Sequence, residues 1–187
     1  MLKKSKSVEG FWLIFTEITT KVTYVIFMQI PDKVSVDVSG SSLKVKGPCG
    51  EITKLIHSDV SVKVNGKEVE VSGESKMLVN TFSAHVANML KGVSEGYSIS
   101  LKSVFAHFPF TVEIKGKEFL VKNFLGEKTP RRGKIVGATK VEIKGPDVKL
   151  SGPDKEAVTQ TFANMRLRLK IRNKDSRTFQ DGLYKVQ

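Results

Sequence analysis

The chain has 187 residues, of which 40% are hydrophobic and 27% charged, and its 31 basic and 19 acidic residues give a net charge of +12. This hydrophobic content excludes an intrinsically disordered tail and is enough for one good core or two small ones. The positive charge favours a polyanionic partner, because each phosphate that is neutralised releases counterions. The single cysteine, Cys49, excludes an intramolecular disulfide and suits a reducing compartment.

The first 27 residues do not share the pattern of the rest. Their basic start and apolar run resemble a signal peptide, but the run is short, Glu17 and Lys21 interrupt it, and no small-x-small cleavage pattern follows. The segment is also too rich in threonine and charge for a membrane-spanning helix. Two interpretations stay open. Phe11–Ile18 and Val22–Phe27 pair as a hairpin in an N-terminal extension, or the true start is Met28, where a regular pattern begins.

A first set of strands and one helix follows Met28. Val34–Val38 and Val60–Val64 alternate apolar and polar residues, which predicts strands with one buried face. The Asn65-Gly66 pair before Val69–Val71 is a strong hairpin signal. A helix is predicted from about Glu74 to about Lys91, with Gly92 as its C-cap and an apolar stripe of Leu78, Phe82, His85/Val86 and Met89/Leu90.

The second half of the chain repeats the first. The repeat predicts an α+β fold with two tandem duplicated domains, each a small, mainly antiparallel sheet packed against one helix. The predicted domains cover residues 28–98 and 99–187, after an atypical extension at 1–27. The matching stretches are Val34–Gly40 with Phe110–Gly116, Leu43–Lys46 with Phe119–Lys122, Gly50-Glu51 with Gly126-Glu127, Val62–Gly66 with Val141–Gly145, Val69–Gly73 with Val148–Gly152, and Thr81-Phe82 with Thr161-Phe162.

The two copies differ in charge. Residues 28–100 contain eight lysines and eight acidic residues, whereas residues 101–187 contain nineteen basic and nine acidic residues, including all six arginines. The guanidinium group presents a flat fork of donors that matches phosphate, which the lysine ammonium does not. The binding surface is therefore predicted to lie in the second copy.

Two basic segments are the candidates for that surface. In Asn123–Lys134, Pro130 and Gly133 predict a loop that can follow a phosphate backbone. In Arg166–Lys174, basic residues fall at every second position. If extended, this segment is a basic ladder on one face; if helical, its cations spread around the axis.

A second helix is predicted to begin at Pro153 and to bury Val158, Thr161, Phe162, Met165 and Leu169. The aromatic residues after it, Phe179 and Tyr184, either stack on bases or pin the tail to the sheet, and pinning is the preferred interpretation for Phe179. The predicted RNA-binding residues are Lys128, Arg131, Arg132, Lys134, Arg166, Arg168, Lys170, Arg172, Lys174, Arg177 and Tyr184.

Motifs that would indicate an enzyme do not occur. The three histidines are widely spaced and have no cysteine or carboxylate at metal-ligand spacing. The chain contains no phosphate-binding loop, no dinucleotide fingerprint and no Gly-x-Ser-x-Gly elbow. The sequence therefore predicts no catalytic residue, no bound metal and no cofactor.

Several short segments occur in a characteristic order over about 155 residues. They are Ile30-Pro31, Val45–Pro48, Ser83–Tyr97, His107–Pro109, Asn123–Lys128 and the closing Asn173-Lys174-Asp175-x-Arg177-x-Phe179-x-Asp181-Gly182-x-Tyr184. Together they resemble the large-subunit ribosomal protein L6 family, in its archaeal and eukaryotic branch. Two features depart from that pattern: Leu167 replaces the usual glutamine, and only three residues follow Tyr184, where relatives tend to carry a longer basic tail.

The resemblance implies a non-enzymatic constituent of the large subunit in the cytoplasmic ribosome, bound to rRNA beside the sarcin–ricin loop and near the translation-factor site. It also implies neighbouring ribosomal proteins and transiently bound translation factors as partners, and neither a membrane nor a second copy of the chain. The alternative from another class is a stand-alone basic RNA-binding regulatory protein.

Overall fold

The computed structural model describes residues 12–18, 21–175 and 177–186, and the chain divides into two compact units between Glu95 and Gly96. In its described part, the first unit has seven strands and one helix. They are β1 (Trp12–Ile18), β2 (Lys21–Gln29), β3 (Ser35–Ser39), β4 (Ser42–Gly47), β5 (Gly50–Leu55), β6 (Val60–Asn65), β7 (Glu68–Gly73) and α1 (Lys76–Ser94).

The second unit has the same kinds of element. They are β8 (Tyr97–Val104), β9 (Thr111–Lys115), β10 (Glu118–Lys122), a 3-10 turn (Phe124–Gly126), β11 (Arg131–Lys134), β12 (Lys140–Lys144), β13 (Asp147–Gly152), α2 (Lys155–Arg168) and β14 (Gly182–Lys185).

Each unit has two antiparallel sheets and one helix. In the first unit, a four-stranded sheet has the order β1-β2-β7-β6 and a three-stranded sheet the order β3-β4-β5. In the second unit the orders are β12-β13-β8-β14 and β11-β10-β9. The predicted α+β class and tandem duplication are confirmed, but the prediction of one sheet per unit was wrong. Alternation along a strand shows which face is buried and does not show which strands are neighbours.

The core of each unit contains the apolar faces of its strands and its helix. In the first unit these include Leu43, Val45, Val69, Val71 and Val79, which have no exposed surface. In the second they include Phe119, Leu150 and Met165, which are equally buried. The predicted hairpin at Asn65-Gly66 is confirmed, since Asn65 pairs with Glu68 across the turn and Gly66 has a φ of +60°.

The two helices begin and end differently from the prediction. Gly92 lies buried inside α1, and the chain leaves the helix through Gly96, whose φ of +80° requires glycine. Helix α2 begins at Lys155 and is capped by Asp154, whose side chain accepts a hydrogen bond from the Glu156 backbone N–H at 2.9 Å. The predicted buried residues of α2 are fully buried except Phe162, which is half-buried.

The pairing of the strands shows where the repeat begins. Tyr24 of β2 lies opposite Gly73, and Tyr97 of β8 lies opposite Gly152, so the two tyrosines are equivalent. A Cβ on Gly73 would lie 2.9 Å from Val79, and one on Gly152 would lie 3.0 Å from Val158. Both glycines therefore allow the helix to approach the sheet closely.

These equivalent glycines also fix the register of the two helices. Counted from them, Phe82 corresponds to Thr161, so the predicted match of Thr81-Phe82 with Thr161-Phe162 was wrong by one residue. The burial pattern agrees, because Phe82 and Thr161 are buried, whereas Thr81 is exposed.

The residues before Met28 include two strands. β1 pairs with β2 from Trp12 opposite Phe27 to Ile18 opposite Lys21, in agreement with the hairpin interpretation of this segment. The predicted boundary at Met28 falls inside β2, where Ile26 and Met28 are both buried in the core. Of the predicted extension at residues 1–27, residues 1–11, 19 and 20 lie outside the described residues.

Candidate nucleic-acid interface

The first basic segment contains a strand where the sequence predicted a loop. Arg131–Lys134 forms β11, and Gly133 pairs with Phe119 of β10. A Cβ on Gly133 would collide with the Phe119 ring, so glycine is required for this close approach. Because side chains alternate along a strand, Arg132 and Lys134 share one exposed face, whereas Arg131 lies on the other face with Gly133.

The second basic segment is part helix and part irregular chain. Arg166 and Arg168 lie in the last turn of α2, where cations are favourable, and the helix ends at Arg168. Leu169 is buried, and Lys170 and Arg172 are exposed on the irregular chain that follows. Neither the fully extended ladder nor a continuous helix is therefore present.

The two segments together form a groove between β11 and the C-terminal end of α2. We call this the basic groove, and its volume is about 680 Å³. Five exposed cations lie along it: Arg132, Lys134, Arg168, Lys170 and Arg172. The other lining residues are Glu118, Gly133, Asn164 and Leu167.

Besides a longer bond from Arg131 Nη1 to Lys170 O at 3.4 Å, three hydrogen bonds join α2 to β11 and to the chain just after β11. Their donors or acceptors on α2 lie three and four residues apart, so they fall on one face of the helix. The bonds run from Val136 N to Thr161 Oγ1 at 3.0 Å, from Asn164 Nδ2 to Lys134 O at 3.1 Å, and from Arg131 Nη1 to Arg168 O at 2.7 Å.

Arg131 is bound within the protein. Its Nε and Nη2 donate to the Glu127 carboxylate at 2.7 and 2.5 Å, and its guanidinium lies 4.5 Å from the centre of the buried Phe124 ring. The hydrogen bond from Arg131 lowers the pKa of Glu127 below its ordinary value. Among the eleven predicted RNA-binding residues, all of which the structure describes, Arg131 alone is not exposed.

Six predicted residues do not line the basic groove. One of them, Arg131, lines a neighbouring cavity of about 370 Å³, which shares Arg132, Leu167, Arg168, Lys170 and Arg172 with the groove. The other five line neither cavity: Lys128, Arg166, Lys174, Arg177 and Tyr184. All five are exposed. The Tyr184 hydroxyl donates to Gln180 O at 3.0 Å, so its polar end is bound while half of its surface stays accessible.

Phe179 is covered by two neighbours. Its ring stacks on His107, with 4.6 Å between the ring centres, and the Lys174 Nζ lies 4.6 Å from its centre. Close by, the buried Asp181 accepts a hydrogen bond from the Ala106 backbone N–H at 2.6 Å. The contacts of Phe179 agree with the interpretation that it pins the C-terminal segment.

Asn164 and Leu167 belong to the groove but were not predicted to contribute to it. Asn164 lies four residues before Arg168 and three before Leu167 on α2, so helical periodicity would have placed it beside both residues. Leu167 is 67% exposed, which is unusual for a leucine and provides an apolar area among the cations. No pattern in the sequence identifies Glu118, which the β10–β11 pairing brings opposite Lys134.

Three lysines of the first unit, Lys44, Lys46 and Lys67, pair with nearby carboxylates. Lys44 Nζ lies 2.6 Å from Glu51, and Lys67 Nζ lies 2.7 Å from Asp32. This pairing agrees with the balanced charge of residues 28–100. Within the described residues, no group of three His, Cys, Asp or Glu side chains is arranged to bind a metal, and no helix is long and apolar enough to cross a membrane.

The chain matches a family model described as ribosomal protein L6 twice, over residues 30–96 and residues 108–182. The chain belongs to the ribosomal protein L6 family. Proteins of this family are structural components of the ribosome and not enzymes, which confirms the predictions of the family and of a non-enzymatic role.

Archaeal members of the family are similar over most of the chain. The large ribosomal subunit protein uL6 of Archaeoglobus fulgidus is 40% identical and aligns with 94% of this chain and 96% of its own length. The proteins of the same name from Methanosarcina mazei and Halobacterium salinarum are each 42% identical over 86% of this chain, and over 94% and 93% of their own lengths. Because 94% of this chain aligns with the Archaeoglobus fulgidus protein, fewer than 27 residues lie outside that alignment. Part of residues 1–27 is therefore aligned with the relative.

Proposed function

We propose that this chain is a structural constituent of the large subunit in the cytoplasmic ribosome and that it binds large-subunit rRNA through the basic groove. The observation that supports this is the position of five exposed cations on two facing walls, with one carboxylate, Glu118, among them. Cations spaced along a groove can follow a phosphate backbone, and each contact releases counterions. The flat guanidinium groups of Arg132, Arg168 and Arg172 add bidentate contacts to phosphate oxygens.

The exposed Lys128, Arg166, Lys174, Arg177 and Tyr184 extend the proposed contact surface outside the groove. The names of the relatives support a place in the large subunit, among neighbouring ribosomal proteins. The location beside the sarcin–ricin loop and the translation-factor site, with transiently bound factors as partners, is proposed from the motifs that resemble the family. We propose one copy of the chain per subunit.

Co-sedimentation tests the ribosomal role. The protein should remain with large subunits through a wash at moderate salt, because a constituent of the subunit has many contacts. Recovery in ribosome-free fractions alone would reject the proposal and favour a stand-alone RNA-binding regulator.

Salt dependence tests the groove. We expect Arg132→Gln, Arg168→Gln and Arg172→Gln each to weaken binding to an rRNA fragment that contains the sarcin–ricin hairpin. Each should also lower the slope of log K against log salt by about 0.7 to 0.9 if one phosphate contact is lost. Lys63→Gln and Lys140→Gln change the net charge equally at exposed sites outside the groove and should leave the slope unchanged. Equal slopes for all five variants would reject the groove as the binding site.

A further inference from the structure

The donors of Arg131 are turned towards the protein. Besides its two bonds to Glu127, its Nη1 donates to Arg168 O at 2.7 Å and approaches Lys170 O at 3.4 Å. These four contacts use most of the five N–H donors that a guanidinium has. The side chain of Arg131 is 24% exposed, and the Phe124 ring covers one of its faces.

The carbonyl groups that Arg131 contacts belong to residues of the basic groove. Arg168 O lies in the last turn of α2, where carbonyl groups lack partners within the helix and a cation is favourable, and Lys170 O lies two residues beyond the helix. The side chains of Arg168 and Lys170 begin on the same backbone and reach into the groove. Fixing these two carbonyl groups therefore fixes the points from which two of the five cations extend.

Glu127 holds the guanidinium in this position. Its two carboxylate oxygens accept from Nε and Nη2 in a bidentate pair, which sets the orientation of the planar group. Glu127 follows a turn in which Asn123, Leu125 and Gly126 all have positive φ, and the Asn123 side chain donates to Pro109 O at 2.9 Å. The carboxylate is thus attached to a turn that is itself tied to the neighbouring loop.

We propose that Glu127 and Arg131 are a positioning pair for RNA binding: Arg131 holds the end of α2 in the shape that the RNA requires and does not itself contact the RNA. This inference rests on the proposed function of the basic groove. It gives Arg131 a role different from the direct contact predicted from its sequence neighbourhood, and it gives an acidic residue a favourable role in binding a polyanion.

A purely electrostatic role of Glu127 and a positioning role predict opposite effects of its substitution on RNA affinity. If the carboxylate acts on RNA by charge alone, Glu127→Gln removes a repulsion and strengthens binding. If it positions Arg131, the same substitution loosens the guanidinium and weakens binding. The sign of the change in affinity therefore separates the two roles.

The experiment measures affinity for the sarcin–ricin rRNA fragment over a series of salt concentrations, at a temperature where thermal unfolding shows every variant to be folded. The variants are Glu127→Gln, Arg131→Lys, their double mutant, and Arg132→Gln as the matched direct-contact control. We expect Glu127→Gln and Arg131→Lys each to weaken binding by roughly 3- to 30-fold, the range expected within one hydrogen-bond network. Their salt slopes should stay that of the wild type, because no phosphate contact is lost.

The double mutant and an NMR signal complete the test. The double mutant should bind no more weakly than Arg131→Lys alone, because the second substitution removes an interaction that is already lost. The Nε–H resonance of Arg131 should keep its position when RNA is added, whereas that of Arg132 should shift.

Three results would overturn the inference. They are tighter RNA binding by Glu127→Gln, a fall in the salt slope with Arg131→Lys as large as with Arg132→Gln, or an RNA-induced shift of the Arg131 resonance equal to that of Arg132. A separate result would reject the proposed function of the groove: Arg132→Gln alters neither the affinity for the rRNA fragment nor the slope of log K against log salt.

Discussion

Replacement of Thr161 by valine tests whether the walls of the groove are held together as the structure indicates. Thr161 has no exposed surface, and its hydroxyl accepts from Val136 N at 3.0 Å and donates to Ala157 O at 2.8 Å. Valine has nearly the same shape, so the substitution removes the two hydrogen bonds and creates almost no cavity. The effect on stability therefore reports the hydrogen bonds.

The magnitude follows from what each partner loses. Ala157 O keeps the hydrogen bond of the regular helix, since it also accepts from the backbone four residues later. Val136 N–H has no such alternative. Val136 is half-buried, so the cost of leaving this donor without its partner should lie towards the lower end of the range of about 1 to 3 kcal/mol for a buried donor. We expect Thr161→Val to lower the free energy of unfolding by this amount.

Urea unfolding followed by circular dichroism measures the change, and hydrogen exchange at the Val136 amide shows where it occurs. Thr159→Val is the matched control, because the Thr159 hydroxyl is exposed and bonds only to carbonyl groups of its own helix. Its effect should stay within about 0.5 kcal/mol. If the two variants lose the same stability, or the Val136 amide stays as protected as in the wild type, the bond between the walls does not contribute.

Three further changes probe the second unit. Gly133→Ala places a methyl group against the buried Phe119 ring and should cost about 1 to 3 kcal/mol in urea unfolding, the usual cost of overpacking. Asp181→Ala leaves the Ala106 N–H without its acceptor and should cost about 1 to 3 kcal/mol, measured in the same way. The lowered pKa of Glu127 means that its pairing stabilises the fold fully above the ordinary glutamate pKa of about 4.3, and that this stability is lost as the pH falls through the lower folded value.

Each of these predictions has its own control. A Cβ on Gly182 would lie 3.6 Å from the nearest atom, an ordinary contact, so Gly182→Ala should cost less than Gly133→Ala. The exposed Asp175 lies close to Asp181 in the chain, and equal losses from alanine at both positions would contradict the role of the buried carboxylate. For Glu127, the wild type should exceed Glu127→Gln in stability at neutral pH, and the difference should shrink in acid. A difference independent of pH would refute the linkage.

The sequence was sufficient to predict many of the strands and both helices, because buried side chains recur with the period of each element, but it predicted a loop where β11 lies. Val34–Val38, Val60–Val64 and Val69–Val71 lie in or beside strands as expected, since each needs one apolar face for a core. The pairing of these strands into two sheets could not be predicted. It depends on contacts between β2 and β7, or β8 and β13, that are distant in the chain and leave no local signal.

The candidate site, like the fold, could be predicted from the sequence only in part. The concentration of arginine in the second copy led to the groove, because charge is a property of composition and is visible in the sequence. The different environments of Arg131 and Arg132 could not be predicted while the segment was interpreted as a loop. Once β11 is known, alternation along the strand places the two side chains on opposite faces.

The outer strand of the four-stranded sheet has a different origin in each unit. β1 comes before β2 in the chain, whereas β14 comes after α2, yet β14 lies beside β8 as β1 lies beside β2. Both outer strands are antiparallel to their neighbours, so the C-terminal end of β14 points towards the start of β8. The order of strands in the second unit is therefore a circular permutation of the order in the first. A permuted gene for the second unit, in which β14 is joined through a short turn to the start of β8, should encode the same four-stranded sheet.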